Sequence, residues 1–238
     1  MTIILEIILL TTMAGICIPL GGLMASFEHI RPRWLEYEFR HFLIALGGGL
    51  LIGAVSLVLV PEGIAELSQK LLATPLILAG GVSIFAIEKV LGLRRHESPQ
   101  LMGMMLDYIP EAIALGGLVA LGSPLAPLLA ILIGLQNLPE GFNAFREMRA
   151  QASHSSHTLL TMVLLVPIGP IAGLLGYFYL AEHHGVLGAV MLFASGGILY
   201  LIFQDIAPQA KLKKHWGPPL GAVLGFAIAL FSQQIMMS

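Results

Sequence analysis

The hydrophobic pattern of the chain consists of long apolar runs separated by short polar connections. Each run holds about 20 residues, the length of helix that crosses a hydrocarbon core about 30 Å thick. The alternating pattern of about ten residues that marks membrane β-strands is absent. The pattern therefore predicts an all-α polytopic membrane protein with a single transmembrane domain over residues 1–238. Its eight predicted helices span approximately 3–25, 41–62, 72–92, 101–121, 124–146, 158–180, 186–208 and 217–236.

The composition excludes an ordinary soluble domain. Apolar residues make up 57% of the chain and charged residues only 11%, and the mean hydropathy is +0.88. So few charges cannot cover a folded chain of this length in water, so the lipid bilayer is its predicted surrounding. The first run begins at residue 3 with no basic residue ahead of it, which predicts a retained helix and not a signal peptide. The net charge of −2 gives no support for a nucleic-acid partner.

The basic residues predict how the helices are oriented. All Lys and Arg residues except Lys70 fall in or beside every second connection. They are Arg31, Arg33, Arg40, Lys89, Arg94, Arg95, Arg146, Arg149, Lys211, Lys213 and Lys214. Cytoplasmic connections of membrane proteins are enriched in Lys and Arg. The distribution therefore predicts both termini outside and favours an even number of crossings.

The fourth and fifth predicted helices carry polar side chains near mid-membrane depth, where an ionisable group marks a functional site by default. Asp107 and Glu111 lie four residues apart on the fourth helix, so they share one face. Gln136 and Glu140 do the same on the fifth helix. The short turn at 122–124 predicts an antiparallel hairpin, and about 1.5 Å per residue places all four roughly 18–25 Å from the turn. Asp107 is then level with Glu140, and Glu111 is level with Gln136.

A proline directly precedes each glutamate, in LDYIPEA and LQNLPEG. Because proline has no N–H, Pro110 leaves the carbonyl of Leu106 without its helical partner, and Pro139 does the same to Leu135. A freed carbonyl is costly in lipid, but beside a cavity it becomes an oxygen ligand or a water site. The repeated Pro-Glu pair therefore predicts a cation site built into two kinked helices.

Several carboxylates this close together cannot all stay ionised without a counter-charge. No Lys or Arg lies at this depth in either helix, so protons or a divalent cation must supply the positive charge. The predicted mechanism is that a cation displaces protons from the site. The alternative left open is a protonated, hydrogen-bonded cluster that only holds the helices together.

Two weaker versions of the same pattern occur near helix ends. LVLVPEG places Glu62 and Glu66 near the outer face, and FQDIAPQ places Gln204 and Asp205 toward the cytoplasm. They are candidates for outer and inner stations on one pathway. The alternative for each is an ordinary interfacial polar residue.

These features together resemble the ZIP (Zrt/Irt-like protein) family of divalent-metal transporters, over essentially the whole chain. In that family the fourth helix reads HNxPEG and the fifth HExPEG or QDxPEG; here they read DYIPEA and QNLPEG. The resemblance implies a first metal site at Asp107, Glu111, Gln136 and Glu140, and a second at Tyr108 and Asn137 with the glutamates bridging. It implies a divalent cation as the transported substrate, no organic cofactor, and movement into the cytoplasm across a bacterial or archaeal cytoplasmic membrane.

The departures from the family pattern predict a divergent member with one oxygen-dominated site. Asp107 replaces the family's histidine, Tyr108 replaces an asparagine ligand, and Gly169 stands where many members have a bridging glutamate. The His-Glu pattern of the seventh helix has become Gln204-Asp205. Oxygen ligands without His or Cys favour Mn²⁺ or Fe²⁺ over Zn²⁺.

Two other functions are weighed against transport. The main alternative is a non-transporting ZIP-like metal sensor or partner subunit with a decayed site. A membrane enzyme is not favoured, because the chain has no HExxH motif and no Ser/His pair at mid-depth. A homodimer is left open as the assembly.

Overall fold

The computed structural model describes residues 2–27, 33–91, 99–151, 155–211 and 216–237. Its α-helices are α1 (Ile3–Phe27), α2 (Arg33–Ala54), α3 (Val60–Glu66), α4 (Ala73–Leu91), α5 (Pro99–Ala120), α6 (Ala126–Gln151), α7 (Ser155–Leu165), α8 (Ile168–Leu180), α9 (His184–Leu201), α10 (Ala207–Ala210) and α11 (Leu220–Met237). A 3₁₀ turn at Lys70–Leu72 precedes α4. No strand occurs in these ranges, so the all-α prediction is confirmed for them.

Seven helical stretches among the described residues are long and apolar enough to cross a membrane. They are Ile3–Phe27, Tyr37–Glu66, Lys70–Val90, Leu101–Ala120, His157–Leu180, His184–Ala210 and Leu220–Met237. The prediction of several helices that are long and apolar enough to cross a membrane is therefore confirmed, whereas the count of eight and the placement of the termini stay predictions. Helix α6 is as long as these, with 26 residues, but Gln136, Asn137 and Glu140 make it less apolar.

The sixth predicted helix, 158–180, is interrupted at a proline. Helix α7 ends at Leu165 and α8 begins at Ile168, with Pro167 between them. Proline cannot donate a backbone hydrogen bond, and its ring collides with the carbonyl four residues earlier. The break therefore follows from a residue that the hydropathy pattern does not register.

Two single turns of π-helix lie inside other spans. Val55–Leu59 separates α2 from α3, and Ile202–Ile206 separates α9 from α10. A proline follows shortly after each turn, Pro61 in the first span and Pro208 in the second. Pro61 has no N–H to offer the carbonyls of this turn, and Nε2 of Gln233 in α11 donates to the carbonyl of Leu57 at 3.2 Å.

The packing of the helices repeats around the α5–α6 hairpin. Helix α1 packs on α6 as α8 packs on α5, and α2 packs on α11 as α9 packs on α4. The hairpin also contacts both helices that lead into π-turns, α2 through α6 and α9 through α5. The first and last groups of helices are thus matched in their neighbours, with the hairpin between them.

Glycines allow the closest of these approaches. Any side chain at Gly21 in α1 would collide with the carbonyl oxygen of Leu138 in α6. In the matched pair, any side chain at Gly176 in α8 would collide with the carbonyl oxygen of Ile113 in α5. Small residues at such contacts let helix backbones touch in a membrane, so the hairpin is held tightly on both sides.

Helix α5 of the hairpin is among the more buried spans. Of its apolar window 61% is buried inside the protein, as in His184–Ala210 and close to the 67% of Tyr37–Glu66, against 17% in α4 and in α11. Helices α4 and α11 therefore present most of their surface outward. The polar residues of α5 and α6 lie where protein surrounds them.

Candidate functional site on the kinked hairpin

A tight turn fixes the hairpin that carries the candidate residues. Gly122 adopts φ 66°, a left-handed conformation that favours glycine. The backbone N–H of Ser123 donates to the carbonyl of Leu118 at 3.0 Å, and its hydroxyl accepts a hydrogen bond from the N–H of Leu125 at 3.2 Å. The turn closes α5 and begins α6 within a few residues, so the two helices run antiparallel as predicted.

The four predicted site residues are all buried on the hairpin. Asp107 and Glu111 of α5 are 3% and 0% exposed, and Gln136 and Glu140 of α6 are 0% and 5% exposed. Nε2 of Gln136 donates to Oε2 of Glu111 at 2.6 Å. The predicted level pair therefore meets across the hairpin.

Asp107 and Glu140, the other level pair, line a cavity of about 20 Å³. Leu201 of α9, Asp205 of the π-turn and Gln209 of α10 line the cavity as well. Glu111 and Gln136 are not among its lining residues. The four predicted residues thus form two neighbouring pairs. Glu111 and Gln136 bond to each other, and Asp107 and Glu140 face a cavity.

Most of the polar oxygens in these pairs lack a hydrogen-bond partner in the protein. They are Oδ1 of Asp107, Oε1 of Glu111, Oε1 of Gln136 and both carboxylate oxygens of Glu140. Among the described residues, no Lys, Arg or His forms an ion pair with any of the three carboxylates. Buried polar groups are normally satisfied, and an unpaired buried charge is costly. A proton or a cation must therefore supply the positive charge, while water can only satisfy the hydrogen-bonding capacity of these oxygens.

The arrangement does not form a complete set of direct ligands. In the described part of the chain, no three His, Cys, Asp or Glu side chains lie close enough together to hold a metal ion. A cation at the cavity would be held by some of these oxygens directly and by others through water, which is usual for hard ions with carboxylate ligands.

The second-site positions implied by the family resemblance face α1 and not the cavity. Tyr108 is 1% exposed, and its hydroxyl donates to the carbonyl of Thr11 at 3.3 Å. Nδ2 of Asn137 donates to the carbonyl of Ala14 at 3.0 Å. Any side chain at Gly169 would collide with the Tyr108 hydroxyl. Tyr108 therefore occupies the space that a larger residue at 169 would need.

The two glutamates of the weaker Pro-Glu pattern at the end of the second span each contact a neighbouring side chain. Oε2 of Glu62 accepts a 3.1 Å hydrogen bond from the Ser123 hydroxyl at the hairpin turn. Oε2 of Glu66 lies 2.7 Å from Nδ1 of His184. Neither glutamate lines the cavity. These contacts attach the first turn of α3 to the hairpin turn and its last residue to the start of α9.

Of the two polar residues predicted near the end of the seventh helix, only one lines the cavity. Asp205 lines the cavity with Asp107 and Glu140, whereas Gln204 does not. Sequence reasoning missed Gln209, which lines the cavity one helical turn after Asp205. It also missed Asn143, a buried residue of α6 whose Nδ2 donates to the Pro139 carbonyl and whose Oδ1 has no partner. Gln209 lies four residues after Asp205, and Asn143 lies three residues after Glu140. Helical spacing would therefore have indicated both.

Comparison with known proteins does not assign the chain to a family. No model of a known protein family matches it, and no curated protein matches it. The ZIP-like character of the hairpin therefore stays a prediction that depends on the residues described above.

Proposed function

We propose that the chain transports a divalent metal cation across the membrane through the α5–α6 hairpin, as a divergent ZIP-like protein. The observation that carries this proposal is the pair Asp107 and Glu140, whose buried, unpartnered oxygens line a cavity that has no Lys, Arg or His among its lining residues in the described part of the chain. Ionisable residues inside a membrane bundle mark substrate pathways more often than structural positions. A cation is the substrate that such oxygens recognise.

The repeated packing around the hairpin supports a transporter over an enzyme. Many secondary transporters consist of matched groups of helices, with the substrate site at their interface on interrupted helices. Here the hairpin lies between two matched groups, each with a π-turn and a following proline in its second span. Interrupted helices are the elements on which such proteins place their ion sites.

The topology of the proposal includes α6 as an eighth crossing. A helix of 26 residues is about 39 Å long, which is enough to cross a bilayer. It begins just after the turn that ends α5, so it returns along the same direction. Its polar residues are enclosed by other helices and need not be apolar. Eight crossings, with the basic connections inside, place both termini outside.

The ligand chemistry favours a hard or borderline cation. Among the described residues that line the cavity, Asp107, Glu140, Asp205 and Gln209 offer carboxylate and amide oxygens, and there is no His or Cys, although Met104 adds a thioether. Oxygen ligands suit Mn²⁺ and Fe²⁺ better than Zn²⁺, which prefers imidazole and thiolate. We therefore favour Mn²⁺ or Fe²⁺ as the substrate, moving into the cytoplasm.

A non-transporting sensor or partner subunit is the second candidate function. It is favoured by the incomplete ligand set and by the use of Tyr108 and Asn137 for packing against α1. Such a protein would bind a cation without moving it. Cation binding accompanied by flux indicates a transporter, and cation binding without flux indicates a sensor or partner subunit.

The test is uptake of Mn²⁺, Fe²⁺, Co²⁺ and Zn²⁺ into proteoliposomes, measured by mass spectrometry. The test variant carries Asp107→Asn and Glu140→Gln, which preserve side-chain shape while removing charge. Its matched control is Glu182→Gln, at an exposed outer position. We expect uptake by the wild type and the control and none above empty liposomes by the double variant. Folded wild-type protein without flux for any ion would contradict transport, and binding without flux would support the sensor.

A further inference from the structure

Gly103 of α5 is a helical glycine that neither packing nor backbone conformation explains. Gly116 of the same helix is a packing residue, because any side chain there would collide with the carbonyl oxygen of Gly173. At Gly103 no atom of the described residues lies within 4 Å of the position that a side-chain carbon would occupy, and its backbone is ordinary α-helix. Glycine destabilises a helix interior relative to alanine. The explanation for Gly103 must therefore lie in the space that it leaves.

Gly103 also lies where the cavity beside the hairpin approaches the surface. It is one of the residues that line this cavity of about 20 Å³. Asp107 and Glu140, which line it too, are 3% and 5% exposed, whereas Gly103 is half-buried and Gln209 is exposed. The cavity therefore extends from the buried carboxylates to the surface, and Gly103 belongs to its surface end.

This end of the cavity lies away from the hairpin turn. Gly103 precedes Asp107 by four residues, so it shares one face of α5 with it and lies about 6 Å farther from the turn at 122–124. The proposed topology places that turn at the outer end of the hairpin. Gly103 then lies between the carboxylates and the cytoplasm.

We infer that Gly103 keeps open the inner exit of the cation pathway, so that the size of the side chain at position 103 controls the rate of transport and not the affinity for the cation. The inference rests on the proposed function, because an exit has a use only if a cation moves. It adds no ligand to the site, since glycine has no side-chain donor.

A cation needs more room to leave than the cavity provides. A space of about 20 Å³ admits roughly one water-sized particle. Divalent cations with oxygen ligands usually keep several waters in protein sites, as Mg²⁺ does. The open space at Gly103 lets water reach a cation beside the carboxylates and replace them as ligands. A side chain at 103 would occupy that space.

The experiment compares Gly103→Ala and Gly103→Leu with the wild type in three measurements on the full-length chain. They are SDS-induced unfolding in mixed micelles, binding of Mn²⁺ by the loss of its free electron-paramagnetic-resonance signal, and uptake of Mn²⁺ into proteoliposomes. Gly185→Ala and Gly185→Leu are the matched controls. Gly185 also has no atom of the described residues near the position of an added side-chain carbon, but it does not line the cavity.

We expect both Gly103 variants to unfold at or above the wild-type midpoint, because alanine and leucine favour a helix more than glycine does. The Kd for Mn²⁺ should stay within about threefold of the wild type, whereas the uptake rate should fall about threefold in Gly103→Ala and at least about tenfold in Gly103→Leu. Both Gly185 variants should take up Mn²⁺ at the wild-type rate.

The outcomes separate the exit from the proposed function. Wild-type uptake by folded Gly103→Leu would overturn the exit and leave the proposed function intact. Loss of Mn²⁺ binding in folded Gly103→Leu would overturn the exit as well, because position 103 would then act on the site itself. A folded wild-type chain without flux for Mn²⁺, Fe²⁺, Co²⁺ or Zn²⁺ would overturn both.

Chemical labelling covers the case in which Gly103→Leu does not fold. Gly103→Cys in a Cys17→Ser background carries one thiol, because Cys17 is the single cysteine of the chain. A methanethiosulfonate reagent then enlarges the side chain after folding. We expect complete labelling to lower Mn²⁺ uptake at least about tenfold while the Kd stays within about threefold. Unchanged uptake after complete labelling would overturn the exit.

Discussion

The side-chain amide of Gln136 donates a 2.6 Å hydrogen bond from Nε2 to Oε2 of Glu111 across the α5–α6 hairpin. Both residues are fully buried, and neither Oε1 of Glu111 nor the amide oxygen Oε1 of Gln136 has a hydrogen-bond partner in the described part of the protein. The bond joins the two proline-containing helices at one depth. Glu111 and Gln136 therefore hold the two helices together, whereas the neighbouring pair, Asp107 and Glu140, faces the cavity.

Removal of this bond is expected to destabilise the bundle. Gln136→Leu leaves Oε2 of Glu111 buried without a donor, which costs about 1–3 kcal/mol. Replacement of both residues, Glu111→Leu with Gln136→Leu, removes donor and acceptor together and should cost less than the two single changes summed. The measurement is SDS-induced unfolding in mixed micelles. Strictly additive costs would show that the two side chains do not interact in the folded protein.

The hairpin itself was predictable because its determinants are local. A tight turn and helical spacing were enough to place Glu111 level with Gln136. The role of Asp205 was less accessible, because it depends on a π-turn and on a contact between segments far apart in the sequence. Hydropathy likewise predicts one helix where Pro167 divides α7 from α8. Local chemistry thus indicated the candidate residues, and tertiary packing decided their neighbours.

Tyr108 and Gly169 are expected to be coupled by space. Gly169→Ala places a methyl group against the Tyr108 hydroxyl and should destabilise the protein by about 1–3 kcal/mol. Tyr108→Phe removes that hydroxyl, so the double variant should recover part of the loss. Gly185→Ala is the matched control, because nothing lies near the position that its methyl group would occupy. Equal effects of Gly169→Ala with and without the hydroxyl would contradict the contact.

Gln233 is expected to stabilise the π-turn in the second span. Its amide donates at 3.2 Å to the carbonyl of Leu57, which lies in the π-turn just before Pro61, a residue with no N–H to donate. Gln233→Leu should therefore cost about 1–3 kcal/mol in the same unfolding assay. Gln234→Leu, at an exposed neighbouring position, should have little effect. In a Pro61→Ala background a backbone N–H becomes available, so the cost of Gln233→Leu should shrink; an unchanged cost would argue against this account of the bond.

The ion preference is expected to change with the ligand atoms at position 107. Asp107 lines the cavity, and no His or Cys is among the described residues that line it. Asp107→His adds an imidazole nitrogen, which suits Zn²⁺ better than Mn²⁺. Asp107→Asn is the matched control, because it removes the same charge without adding a nitrogen ligand.

In proteoliposomes supplied with both ions, the ratio of Zn²⁺ to Mn²⁺ taken up should therefore rise in Asp107→His above both the wild type and Asp107→Asn. The ratio separates ligand chemistry from a general loss of affinity, which would lower uptake of both ions together. If histidine and asparagine gave the same ratio, the side chain at 107 would not contact the transported ion. The cation route would then have to pass the hairpin through Glu140 without Asp107.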